Sequence, residues 1–408
     1  MDFFNVISVD EARKRINETF MRLKLGTEEI GILDALDRIA AENTVSGIDV
    51  PGFNRSIVDG YAIKSQNSHG ASETLPSFLN LIGETIMGEN TNLTILDGEA
   101  VYVPTGGIVP EGADAVIMIE HVEQLGDNLI ALYKPVAYKE NMLFQGDDVG
   151  EGEVILEKGK KIRPQDIGVL AAIGMATLKV YKKPRFFILS TGDEIIDLHE
   201  PLDKGKIRDI NGYALYALIK KLGGDVVRRV IVKDDFEKLK CELSQALDSA
   251  DIIIISGGSS VGTKDYTYEL MNTLTGQGVF IHGLSIKPGK PTLVGEAHGK
   301  PVFGLPGHPV SSIIVFKAIV EYFIKNKMEI KEDIIKTKAI LDFNIHSSPG
   351  QETYQMVSLV EKDGHLHAVP VLGKSGMITL LSNSNGYIVM KAHEEGLYQG
   401  EEREVYFI

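Results

Sequence analysis

The stretch Asp251–Tyr266, DIIIISGGSSVGTKDY, decides how the rest of the chain is read. Four consecutive β-branched residues, Ile252 to Ile255, have no polar face. A run this short and this apolar predicts a strand covered on both sides, the usual state of a strand in a parallel sheet. The chain then turns at once into Ser256, Gly257, Gly258, Ser259, Ser260, Val261 and Gly262, followed by Lys264 and Asp265. Glycines permit positive φ and close backbone approach, so such a loop can aim several N–H groups at one anion. The hydroxyls add donors, and Asp265 is suited to a metal that bridges phosphate oxygens. A Gly-Ser loop after a strand is often no more than a turn. The anion cradle is favoured because further strands in this region end in similar loops.

Working outward, FFILSTGDEI is a buried strand (186–189) that runs into Ser190, Thr191, Gly192, Asp193 and Glu194. Asn211 can cap a helix reading Ala214, Leu215, Leu218, Ile219 and Leu222, closed by Gly223-Gly224. DVVRRVIV (225–232) predicts the next strand, ending at Lys233-Asp234-Asp235, and a helix over 236–248 places Cys241 as a small core residue. Downstream, KPVFGLPGHPVSSIIVFKAIVEYF reads as strand, Pro-Gly loop and helix. Alternating strand and helix implies right-handed βαβ units and a parallel sheet. Ligands of such sheets sit beyond the carboxyl ends of the strands. Four ends supply Ser190–Glu194, Asp234 with Asp235, Ser256–Asp265 and Pro306–Ser312. Acids, hydroxyls, glycines and a helix start together suit a phosphate ester with a divalent metal. Singly, each acid is an ordinary solvated turn residue; grouped at strand ends they call for a neutralising cation. Lys287-Pro288-Gly289-Lys290-Pro291 sets two cations on a stiff turn, either a solvated loop or an oxyanion clamp that loses little entropy on binding.

On either side of this region the pattern changes. Ser8 to Glu11 fits a capping box, with Ala12, Ile16, Phe20 and Leu23 at helical spacing over about 9–24. PGFNRSIVDGYAIKS (51–65) mixes Arg55, Asp59 and Tyr61 among apolar residues. From about 75 to 140 short alternating runs predict a small all-β lobe, in which Thr105-Gly106-Gly107 again ends a strand. A short helix (Pro164 to Ile173) and a strand (176–181) lead to the α/β region. From about 330 onward, ITLLS, GYIVMK and REVYF read as strands of a separate C-terminal β domain.

Composition narrows the function classes. The 408 residues carry 42 Lys+Arg against 57 Asp+Glu, a formal charge of −15, which argues against non-specific nucleic-acid binding. One cysteine excludes an internal disulfide framework and a thiolate metal cluster. No apolar run approaches the roughly 20 residues of a membrane span, and the N-terminus lacks a signal-peptide h-region, so a soluble cytoplasmic protein is expected. Gly373-Lys374-Ser375 imitates the end of a P-loop, but Ala368 stands where its first glycine belongs. GGSSVG lacks the GxGxxG spacing, and neither HExxH nor a GxSxG elbow is present. His282, His308 and His346 read as surface or loop residues rather than ligands.

The strings DVPGFNRSIVDGYAI, PTGGIVPEGADAVIMIE, LSTGDEI, SGGSSVGTKDY, IKPGKP, GLPGHPVSS and GKSGMI, taken in order, resemble the molybdopterin molybdenumtransferase family, which includes bacterial MoeA and the C-terminal domain of gephyrin. That resemblance implies an α/β multidomain protein and an elongated homodimer. Its parts would be a discontinuous scaffold domain (1–49 and 141–183), a β-rich lobe completing the partner's active site (50–140), a parallel-sheet molybdopterin-binding domain (184–328) and a barrel-like C-terminal β domain (329–408). It implies molybdate or tungstate as substrate, inserted into adenylylated molybdopterin with release of AMP and with Mg²⁺ as cofactor. A molybdopterin adenylyltransferase and cofactor-accepting enzymes would be partners. Carried over by position, Asp59, Thr105, Glu194, Asp234 and Asp265 are the catalytic set, with Glu194 and Asp265 on the metal. Asp148, Ser190, Thr191, Gly192, Ser256, Gly257, Gly258, Ser259, Lys287, Lys290, Pro306, Gly307, Ser311 and Ser375 would bind substrate. The chain departs from the pattern where relatives carry arginines, at Leu143, Phe144, Gln145, Gln351 and Met356, and also at Gly283 and His308. Two rival readings are a non-catalytic pterin- or nucleotide-binding scaffold that has lost its anion clamp, and a molybdopterin adenylyltransferase.

Overall fold

A computed structural model describes residues 6–257, 266–331 and 336–408. The isoleucine run is the strand Ile252–Ser256, every residue of it buried, at the centre of a six-stranded sheet. In sheet order the strands are Asp225–Val232, Arg185–Thr191, Ile252–Ser256, Lys300–Leu305, Leu293–Ala297 and Gly278–His282. The first four run parallel, Leu293–Ala297 is antiparallel to both its neighbours, and Gly278–His282 runs with the first four. The sheet is therefore mixed, where a parallel one was expected, because Leu293–Ala297 and Lys300–Leu305 form a hairpin too short to hold a crossover helix.

Period-two alternation sends successive side chains to opposite faces. Phe186, Ile188, Ile252 and Ile254 pack with Leu215 and Ile219 of the helix Ile210–Lys221 and with the long helix that starts at Pro309. Phe187, Leu189, Ile253 and Ile255 pack instead with Leu239, Leu243 and Leu247 of the helix Phe236–Ser249, and with Leu270 of Tyr266–Thr273. Cys241 lies on the outer side of Phe236–Ser249 and is exposed, contrary to the core position expected of it. The long helix has a defect. It is α-helical over Pro309–Val315, widens to a π-helix over Phe316–Glu321 and resumes as Tyr322–Lys327.

The opening helix is Val9–Thr19, capped by the Ser8 hydroxyl but five residues shorter than its hydrophobic spacing suggested. The strand Thr27–Gly31 pairs antiparallel with Thr177–Tyr181, and Thr44–Val45 with Val154–Leu156, so two separated chain segments share one small core. Residues 58–144 supply two clusters of their own around a second six-stranded sheet.

In the C-terminal region the strands Glu352–Lys362, His365–Pro370, Lys336–Leu341, Glu402–Phe407 and Gly386–Met390 pair in that order. Gly386–Met390 pairs back onto Glu352–Lys362, which closes a barrel. Ile286–Lys287 adds to Glu352–Thr353 in parallel, sewing the Lys-Pro-Gly-Lys turn to the barrel wall. ITLLS is a short helix, Thr379–Ser382, and not the strand its composition implied. No helix among the described residues is long and apolar enough to cross a membrane.

Candidate functional site

Four strand ends meet at one edge of the central sheet. Ser190 donates its hydroxyl to Asp209 Oδ1 (2.9 Å), and Asp209 also accepts from the Gly212 N–H (2.8 Å) as cap of the helix Ile210–Lys221. The helix cap is thus Asp209; Asn211 sits inside the first turn. The Asp209 carboxylate is 1% exposed and is neutralised by Arg229 at 2.7 Å, which itself lies over the Tyr213 ring. Thr191 donates to Asp234 Oδ1 (2.8 Å). Asn211 Nδ2 donates both to Ser256 Oγ (2.9 Å) and to the Gly307 carbonyl (2.8 Å). Its Oδ1 is buried and without a partner among the described residues.

Gly257 holds φ at +102°, and a Cβ there would stand 2.2 Å from the Thr191 carbonyl oxygen. No other residue fits that position. Gly192 is similarly hemmed by the Glu194 carboxylate, 2.8 Å from where its Cβ would be. Glu194 and Asp234 are exposed, and the Asp234 N–H reaches toward the Asp193 carboxylate at 3.4 Å. Glu194, Asp234, Ser190, Thr191, Gly192, Ser256, Gly257 and Gly307 therefore lie on one continuous rim. Gly258, Ser259 and Asp265 lie outside the described residues.

Gly307 joins this rim to a cavity of about 600 Å³ between the α/β domain and the barrel. Its walls include Lys287, Lys290, Pro306, Ser311 and Ser375, all five expected from the sequence, together with His308, His346, Gln351 and Met356. Ser375 Oγ is 2.9 Å from His308 Nδ1, and the Ser375 carbonyl accepts the Val310 N–H at 3.1 Å. The Gly-Lys-Ser tripeptide is thus a turn that docks the barrel onto the start of a helix. His308 is a cavity residue, where the sequence had read a plain loop histidine. Lys287 Nζ is held by Ser348 Oγ at 2.6 Å.

A third group sits in the 58–144 lobe and its stem. Asp59 accepts from the Thr105 N–H at 2.8 Å, and both are exposed. Asp148 is exposed on the turn that pairs with Val50. The hydrogen-bond partners of Asp59 belong to its own lobe, Thr105 and Ile119, and the structure does not bring it to the strand-tip rim through them. Gln145, one of the positions without an arginine, braces this stem by donating to Asp49 (2.8 Å).

Sequence reasoning missed Asp209, Arg229 and the bridging role of Asn211. The signal was Asp209-Ile210-Asn211 after a strand-tip acid loop, two polar groups where one cap suffices.

Three family models match the chain: the MoeA N-terminal region (domain I and II) over residues 7–174, a "Probable molybdopterin binding domain" over 187–326, and the MoeA C-terminal region (domain IV) over 338–408. A Methanocaldococcus jannaschii protein named for molybdopterin biosynthesis is 38% identical over 93% of this chain and 92% of its own length. The molybdopterin molybdenumtransferase of Staphylococcus aureus is 32% identical over 97% of this chain and 94% of its own. Among solved structures, a molybdopterin biosynthesis MoeA protein from Pyrococcus horikoshii superposes with a TM-score of 0.83 at 35% identity, covering 99% of both chains.

Proposed function

Since the chain belongs to the MoeA family of molybdopterin molybdenumtransferases, we propose that it inserts molybdate or tungstate into adenylylated molybdopterin and releases AMP. The observation that carries this reading is the junction at Gly307, where a rim of hydroxyls and glycines runs into a cavity whose walls hold lysines and histidines. A phosphorylated pterin on the rim would present its dithiolene to an oxyanion in the cavity.

The rim hydroxyls differ in what they can offer. The Ser190 proton is spent on Asp209, so Ser190 can only accept, which suits a ring N–H. Ser256 already accepts from Asn211, so its own proton is free to donate to a phosphate oxygen. Lys287 and Lys290 would offset charge on the oxyanion while the phosphoanhydride opens.

No cluster of three metal-ligating side chains occurs among the described residues. Mg²⁺, however, is commonly held by one or two carboxylates, water and substrate phosphates. Exposed Glu194 fits that sparse set, with Asp265 as its expected companion. Bound there with substrate, Mg²⁺ would draw charge from the phosphoanhydride. The separate core of the 58–144 lobe supports a homodimer in which Asp59 and Thr105 of a second copy complete each rim. A cytoplasmic enzyme meeting a molybdopterin adenylyltransferase and cofactor-accepting enzymes fits this chemistry.

The test is AMP release from adenylylated molybdopterin with Mg²⁺, with and without molybdate or tungstate. Anion-stimulated release is expected. No release with either anion favours the scaffold reading, and anion-independent release favours hydrolysis or adenylyl transfer.

A further inference from the structure

Among the described residues, the walls of the cavity beside Gly307 hold four basic side chains, Lys287, Lys290, His308 and His346, and no carboxylate. In a chain of net charge −15 that local balance selects an anion. Imidazole is the side chain whose charge changes between about pH 5 and 8. Gln351 and Met356 add bulk to the same walls but no charge. Half of the basic side chains described in these walls are therefore imidazoles.

His308 is fixed in place for such a role. Its Nδ1 meets Ser375 Oγ at 2.9 Å, and a hydroxyl can either donate to a neutral ring or rotate to accept from a protonated one. The ring can gain a proton without losing its anchor. The groups facing it come from every packed element: Lys287 and Lys290 on the Lys-Pro-Gly-Lys turn, His346 at the barrel rim and Ser311 on the helix below. Tyr354 in the wall turns its hydroxyl to Glu352 (2.7 Å), and Lys391 offsets that carboxylate at 3.0 Å. Among the described wall residues, no uncompensated acid competes with an entering anion for His308.

We propose that His308, with a smaller share from His346, couples oxyanion capture in this cavity to proton uptake, so that the anion is held more tightly as pH falls from about 8.5 to about 6.5. This rests on the cavity being the oxyanion site. The coupling makes each histidine a specificity-determining residue: it favours a dianion over a monoanion, and over a neutral oxyacid, by an amount that depends on pH.

Isothermal titration of the full-length protein with molybdate or sulfate tests this, since neither anion takes up a proton in this range. Runs at about pH 6.5, 7.5 and 8.5, in two buffers of different ionisation heat, give affinity and protons bound per anion. The expected result is roughly tenfold tighter binding at the lowest pH than at the highest, with net proton uptake at the middle one. His308→Asn should still bind but lose at least about half of the pH slope, and His346→Gln less. His365→Gln, at an exposed barrel histidine outside the cavity walls, should keep the slope and guards against a loss that any histidine substitution would cause. Binding of equal strength at all three pH values, without proton uptake, overturns the coupling and leaves the oxyanion reading standing. Absence of binding at every pH overturns the oxyanion reading itself. An unchanged slope in His308→Asn, or a slope lost equally in His365→Gln, also overturns the assignment to His308.

Discussion

The strand-tip rim and the cavity beside it are contiguous through Gly307, yet they are built on opposite plans. On the rim, Ser190, Asp209, Asn211, Ser256 and Gly257 are each bound to another element, and Gly257 has no room for a methyl group. In the cavity, Gln351, His308 and His346 project from turns and a barrel strand toward open volume. Identity on the rim is dictated by what the backbone permits. Identity in the cavity is dictated by what charge the ligand needs, and that can change without refolding anything. On the proposed function, a change at Gln351 would alter the anion's surroundings and leave the rim intact.

The contrast can be broken most decisively at Asp209. Asp209→Ala frees Ser190, uncaps a helix and leaves Arg229 short of its buried partner, at a cost of roughly 3–5 kcal/mol. Urea denaturation should register that loss; a shift below about 1 kcal/mol would mean that the rim is not the locked structure described. Gly257→Ala comes next. A Cβ 2.2 Å from the Thr191 oxygen must push two strand ends apart, costing about 1–3 kcal/mol and lowering anion-stimulated AMP release by more than about a hundredfold. Wild-type turnover would contradict the rim's role.

Gln351→Arg sharpens the other side. It should leave the melting temperature nearly unchanged and tighten tungstate binding by about tenfold, since a charge near 4–6 Å at intermediate dielectric is worth a little over 1 kcal/mol after solvation. Destabilisation like that of Gly257→Ala would show that the cavity is as constrained as the rim.

The smallest effect is expected from Asp197, at the outer edge of the rim. Its carboxyl is held down to about 2 by the Tyr213 hydroxyl, the Leu198 N–H and Arg229. A depressed acid stabilises the fold above its unfolded pKa, near about 3.9, and ceases to do so as pH falls through the folded value. Because the side chain is 37% exposed, solvent screening keeps the contribution below about 1 kcal/mol. Asp197→Asn should therefore differ slightly from wild type in urea midpoint at pH 7 and converge with it toward about pH 2.

How much of this could be read from the sequence follows from the same contrast. Unbroken apolar strands and glycine-hydroxyl ends are local patterns, and the rim was legible through Ile252–Ile255, Ser190–Glu194 and Ser256–Gly257. The Lys-Pro-Gly-Lys turn was legible as well, as a stiff loop carrying two cations that the structure places in the cavity wall. The antiparallel edge was not, because a hairpin and a crossover begin with the same strand signal. Thr379–Ser382 was missed for a related reason: an isolated five-residue apolar run has no period long enough to separate helix from strand. His308, Asp209 and Arg229 depend on partners 67, 19 and 20 residues away, and such pairings are set by tertiary structure alone.

The widened turn at Phe316–Glu321 sits midway along the rod that begins under the cavity and ends against the opening helix. A π-turn holds one residue more than regular pitch allows, and each residue advances a helix by about 100°. The surplus residue works like an offset in a camshaft: Ser311 and Ser312 keep one angular setting, Phe323 and Ile324 another, and both halves stay buried. Trimming that residue would not shorten the rod so much as mistime it, turning either the serines away from the cavity or the aromatic end out of its socket.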